Sequence, residues 1–188
     1  MFHPAEHLDE TGAIAAALTQ LGLKPVLVGG MALVILGSRR VTRDFDFAIP
    51  WPGDRLQDML DVFYDRGLEL VSRLNENGDV TATIRNRRVA AIRLRLDAPA
   101  SAYFFHPRTG LRIDLLFDFP LPAARLAAGA VRTRVRSHVF WVASEPDLLR
   151  LKKIARAQRS WPGDAEDVAF LEARRRRKVS RPPGRARR

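Results

Sequence analysis

Apolar and polar residues alternate along this chain in a way that shifts between two periods. Over residues 4–21, Leu8, Ile14, Leu18 and Leu21 fall roughly on one helical face, and Gly22 stops the run. Residues 25–28 read as a short apolar strand. A Gly29-Gly30 turn follows, then a helix over residues 31–36 that is apolar all round, a pattern that predicts burial. Gly37 ends that helix, and the polar loop 38–43 leads to a strand over residues 44–49. In this strand Phe45, Phe47 and Ile49 alternate with Asp44 and Asp46, so one face is core and the other carries carboxylates. Trp51-Pro52-Gly53 breaks the chain, Asp54 caps a helix, and Leu56, Met59, Leu60 and Phe63 form its stripe up to Gly67.

From residue 68 to 119 the pattern turns to β. Strands are expected over 68–74, 80–85 and 89–96, the first two joined through Asn77-Gly78. Residues 101–106 and 111–117 read as a hairpin. Leu111, Ile113, Leu115 and Phe117 share one face of its second strand, with Arg112, Asp114, Leu116 and Asp118 on the other. Residues 122–128 predict a short helix, and 133–142 two short strands or one bent one. Ser144-Glu145-Pro146-Asp147 resembles a capping box that opens a helix to about residue 158. After Trp161-Pro162-Gly163, Asp164 and Asp167 cap a last helix over 165–173, where Asp167 is also placed to orient a lysine or arginine. The expected organisation is an α+β fold: a mixed β-sheet flanked by helices over residues 1–143, a small helical part at 144–173, and a disordered basic tail at 174–188.

Composition changes this picture at one point. The net charge is +11, but residues 173–188 hold nine Arg or Lys and no acid, so the remaining 172 residues have a net charge of +2. The tail, not the body, is the candidate electrostatic footprint for RNA phosphates. There is no cysteine, which excludes disulfides and thiolate metal sites and is compatible with a reducing cytoplasm. No apolar run reaches the length of a membrane span, and no signal-peptide pattern is seen, so no membrane partner is expected. The four histidines lack metal-ligand spacing.

The candidate chemistry lies in the carboxylates. Asp44 and Asp46, two residues apart on a strand, project side by side, and such a pair repels unless a cation intervenes. A hard divalent ion such as Mg²⁺ is commonly held by one or two carboxylates with substrate phosphates. Gly29 and Gly30, opening a helix after a strand, would let backbone N–H groups approach those phosphates. Asp114 is a third carboxylate in an otherwise apolar strand and needs a partner or a metal. Asp118 reads as a strand-end or turn residue.

The string Gly29-Gly30-Met31-Ala32-Leu33, followed by Gly37-Ser38-Arg39-Arg40-Val41-Thr42-Arg43-Asp44-Phe45-Asp46, resembles the signature of the polymerase-β-like nucleotidyltransferase superfamily. Within it, the match is nearest to the abortive-infection-type (AbiEii-like) nucleotidyltransferase toxins. The resemblance implies the nucleotidyltransferase fold, with Asp44, Asp46 and Asp114 binding Mg²⁺ or Mn²⁺ and Asp114 activating the incoming hydroxyl. It implies a nucleoside triphosphate against Gly29-Gly30, with Arg40 and Thr42 in phosphate or loop-ordering roles. Lys152 is implied at the phosphates, although Lys153 follows it where an apolar residue is usual. The implied activity is transfer of a nucleoside monophosphate group to a hydroxyl of tRNA, other RNA or protein, with a cognate antitoxin as a further partner. Two other readings stay open: a small acceptor such as an aminoglycoside, and a non-catalytic nucleotide-binding member of a toxin–antitoxin pair.

Overall fold

The computed structural model describes residues 4–158 and 162–179. In chain order the elements are α1 (Pro4–Gln20), β1 (Val26–Val28), α2 (Gly29–Ile35), β2 (Asp44–Ile49), α3 (Leu56–Tyr64), β3 (Glu69–Leu74), β4 (Val80–Ile84), α4 (Arg87–Asp97), β5 (Ser101–Phe105), β6 (Arg112–Phe117), α5 (Ala123–Gly129), β7 (Val131–Val135), β8 (His138–Val142), α6 (Glu145–Gln158) and α7 (Pro162–Val179). The chain divides into two compact units, Met1–Ala143 and Ser144–Arg188. No helix among the described residues is long and apolar enough to cross a membrane.

The first unit is built on an eight-stranded mixed sheet of order β4-β3-β5-β6-β2-β1-β8-β7. Its centre is the parallel pair β2–β6, with β1 antiparallel to β2 and β5 antiparallel to β6. Alternation assigns the faces. Phe45, Phe47, Ile113, Leu115 and Phe104 are buried, and Phe104 stacks on Phe63 of α3 with ring centroids 4.0 Å apart. Phe47 faces Phe140 of β8 at 6.5 Å. Burying each such aromatic contributes about 1.5–3 kcal/mol, so this face holds the sheet to its helices. The intervening residues of β2 and β6 point the other way, and there the carboxylates lie.

Two expectations for the first unit are corrected. Residues 89–96 form not a strand but most of α4, capped by Asn86, whose side-chain oxygen accepts from the backbone N–H of Arg88 (2.9 Å) and Val89 (3.3 Å). The run has no Gly or Pro and is rich in Ala, Leu and Arg, all strong helix formers. Its misleading alternation arises because Ile92, Leu94 and Leu96 occupy two opposite sides of one helix. Second, α2 starts at Gly29 and is not buried all round, since Met31, Val34 and Ile35 remain half-buried.

In the second unit α6 contacts α7. α7 runs on to Val179, so the first part of the expected disordered tail is helical. Arg is a good helix former, and Arg174 is anchored to Glu145 at 3.1 Å. Residues 180–188 of that tail lie outside the described residues.

Candidate functional site

Strand register brings the predicted acids together. Asp46 of β2 is directly paired with Asp114 of β6, and the same row continues to Val28 on one side and Tyr103 of β5 on the other. Neighbouring strands of a sheet lie about 4.7–4.9 Å apart, so paired side chains on one face stand side by side. Asp44, two residues before Asp46, pairs with Arg112 on the same face. Three carboxylates therefore occupy two adjacent strands, on the face opposite the aromatic core.

This arrangement is electrostatically uneasy. The Asp114 carboxyl is pushed up to about 8, first by burial and then by the negative charges of Asp46 and Asp44. Asp114 Oδ1 and Asp44 Oδ1 are buried with no hydrogen-bond partner. Compensation comes from Arg112, whose guanidinium stands 4.0 Å from Asp44 Oδ1 and 3.8 Å from Asp79 Oδ1. Arg112 also hydrogen-bonds Tyr103, whose hydroxyl is pushed up to about 12, mainly by burial and then by Asp44. The Arg112 guanidinium is thus divided between Asp44 and Asp79. Hard carboxylate donors with orphaned oxygens fit a divalent oxygen-seeking ion. The row is open rather than a closed cage: among the described residues no three acidic or imidazole side chains converge as a ready-made metal site.

The glycine pair has a visible steric reason. Gly29 has a φ of +63°, and a Cβ there would fall 1.8 Å from Asp46 Oδ2. A Cβ on Gly30 would meet Thr42 Oγ1 at 2.9 Å and the Arg40 guanidinium carbon at 3.0 Å. The turn thus lets Asp46, Arg40 and Thr42 close on the start of α2, and five of the residues in the sequence signature form one neighbourhood. We expect Gly29→Ala to cost about 1–2 kcal/mol from the left-handed backbone alone. The added displacement of Asp46 should reduce any activity further than stability. Urea unfolding beside an activity assay checks this, and a variant as stable as wild type would remove the close-approach argument.

Lys152 belongs to the second unit. It is buried, with its ammonium 2.7 Å from Asp167 Oδ2 and 3.6 Å from Asp164 Oδ1. Asp164 and Asp167 are therefore ion-pair partners inside α7 rather than simple caps, in line with the orienting role open to Asp167. Lys153 is exposed and pairs with Glu172 at 3.0 Å. Asp118 is structural: its carboxylate accepts from the backbone N–H of Trp51 (3.2 Å) and Ala123 (2.9 Å). Tyr103 and Arg112 are the members of the acid neighbourhood that sequence reasoning left without a role. Arg112 was signalled by its i−2 relation to Asp114, whereas Tyr103 needed the hairpin register.

No protein-family model matches the chain, and no curated protein matches it in sequence. Solved structures do match in fold. The lincomycin-bound lincosamide antibiotic adenylyltransferase LnuA superposes with a TM-score of 0.55 at 13% identity, over 87% of this chain and 95% of that one. ANT(2'')-Ia in complex with adenylyl-2''-tobramycin gives 0.55 at 15%, over 88% and 87%. An antigenic nucleotidyltransferase-like protein from Paracoccidioides brasiliensis gives 0.53 at 17%, over 86% and 74%. At these identities the likeness is one of architecture: the chain has the α+β fold of these nucleotidyltransferases.

Proposed function

We propose that this chain is a metal-dependent nucleotidyltransferase, moving a nucleoside monophosphate group from a nucleoside triphosphate to an acceptor hydroxyl. The observation that carries the reading is the direct pairing of Asp46 with Asp114 on adjacent parallel strands, with Asp44 on the same face. Asp44, Asp46 and Asp114 would hold Mg²⁺ or Mn²⁺, which when bound neutralises charge on the transferring phosphate and the leaving pyrophosphate. Asp114, whose carboxyl is raised by burial, would take the proton of the attacking hydroxyl. Gly29 and Gly30 would border the triphosphate, with Arg40 and Thr42 beside them. Lys152 is the residue that the sequence signature assigns to the phosphates, and within the second unit its ammonium is paired with Asp167 and Asp164.

For the acceptor we favour a macromolecule, RNA in particular, in a toxin-like role with a cognate antitoxin. The support is the sequence signature and the concentration of positive charge at residues 173–188. A small-molecule acceptor is the second reading, favoured by the antibiotic-related ligands of two structures with this fold. One experiment separates them: the protein with Mg²⁺ and each α-labelled triphosphate is offered total RNA, bulk protein, tobramycin or lincomycin. Label on RNA is expected, and it should weaken as salt rises or when residues 180–188 are deleted. Label only on an antibiotic would replace the RNA reading, and label on nothing would overturn the transferase assignment.

A further inference from the structure

α4 carries a second apolar face that the fold does not use. Ala90, Ala91 and Leu94 are buried, and α4 contacts α3. On the opposite side Val89, Ile92 and Leu96 are 50%, 57% and 79% exposed. Their spacing of three then four residues is that of successive a, d and a positions in a coiled-coil seam. Contiguous exposed apolar side chains rimmed by polar residues mark interaction sites.

The flanks of the seam are equally regular. With Val89 and Leu96 at a, residues 88 and 95 fall at g and residue 93 at e, and all three are arginines. Arg93 is engaged by Asp97 within the helix, and Arg87, off the seam, is held by Asp61 (2.8 Å) and Asp65 (2.7 Å). Arg88 and Arg95, both at g, are exposed along one border of the stripe. A second copy of this chain is a poor occupant, because an antiparallel pairing of two such seams sets Arg88 against Arg95, and a parallel one sets them against Arg93. A lipid surface is also poorly served: the stripe is three residues wide on a helix of eleven, with no aromatic anchor.

We propose that the outer face of α4 is a docking site for one amphipathic helix of a different protein, with an apolar a/d stripe flanked by acidic residues. Recognition combines burial of Val89, Ile92 and Leu96 in the partner's holes with pairing of Arg88 and Arg95 to its carboxylates. α4 packs against α3, which lies on the aromatic face of the sheet, opposite the carboxylate row.

The test uses the full chain and three probes: a three-heptad peptide with Leu at a and d and Glu at e and g, the same peptide with Lys at e and g, and anionic vesicles. The Glu peptide should bind, measured by fluorescence anisotropy, and the Lys peptide at least tenfold more weakly. Ile92→Glu should abolish binding, and the milder Leu96→Ser should weaken it severalfold with unchanged circular dichroism. Arg88→Glu with Arg95→Glu should reverse the preference to the Lys peptide. Equal binding of both peptides, no binding of either, vesicle sedimentation lost in Ile92→Glu, or a dimer in sedimentation velocity lost in the same variant would each overturn the proposal.

Discussion

Asp46→Asn will abolish nucleotidyl transfer, by about a thousandfold or more, while leaving the fold intact. The side chain lies at the centre of the acid row, paired with Asp114 and pressed against Gly29. In the proposed mechanism this carboxylate would hold the catalytic cation, and losing it would remove several kcal/mol of transition-state stabilisation; about 4 kcal/mol corresponds to about a thousandfold in rate. Stability should change little, because asparagine matches aspartate in size and removes a negative charge that bears on Asp114. Asp118→Asn is the matched control. That carboxylate holds the backbone N–H groups of Trp51 and Ala123, so its loss should cost about 1–3 kcal/mol of stability with little effect on chemistry. The pair of variants separates an acid used for reaction from one used for folding, read by label transfer and thermal unfolding in parallel. Transfer by Asp46→Asn at the wild-type rate would remove the carboxylate row from the proposed mechanism.

The half of the site that one strand can encode was legible in the sequence. Strict alternation in residues 44–49 set Asp44 and Asp46 against a face of Phe45, Phe47 and Ile49, because the period of a strand is two. The same logic put Asp114 opposite Leu111, Ile113, Leu115 and Phe117. What alternation does not hold is register between strands far apart in sequence. That Asp46 faces Asp114 rather than Arg112 depends on the β2–β6 pairing, and the addition of Tyr103 depends on the β5–β6 hairpin. Residues 89–96 imitate a strand because their apolar pattern has two sources. Leu94 is apolar for the core, while Ile92 and Leu96 are apolar on the exposed side, and their sum imitates a strand. The unused signal was Asn86, a good N-cap placed three residues before the run. The ion pairing of Lys152 with Asp164 and Asp167 joins two helices, so only the helix–helix geometry discloses it.

Asp114→Asn will make the protein more stable at high pH and flatten its stability profile between about pH 4 and pH 8. Burial, Asp46 and Asp44 raise the carboxyl from 3.8 to about 8 in the folded chain. In the unfolded chain it reverts to an ordinary value of about 3.9. Between these values the folded state holds a proton that the unfolded state has released, so wild-type stability falls as pH rises through this window. The penalty is absent below the unfolded value and complete above the folded one. An amide at residue 114 cannot ionise, so the variant and wild type should be similar near pH 4 and diverge by roughly 2–3 kcal/mol at pH 9, once charge sharing across the row is allowed for. For a chain of this size that is about 5–10 °C in melting temperature. Divalent ions should act on the same term from the other side. A site filled at a hundred times its dissociation constant adds about 2.7 kcal/mol, so Mg²⁺ should raise the wild-type melting temperature most above pH 8 and the Asp114→Asn value much less. A variant destabilised at pH 9 with an unchanged slope would mean that Asp114 is ionised and satisfied in the folded chain. In that case the acid row would be a structural feature with no need of a cation.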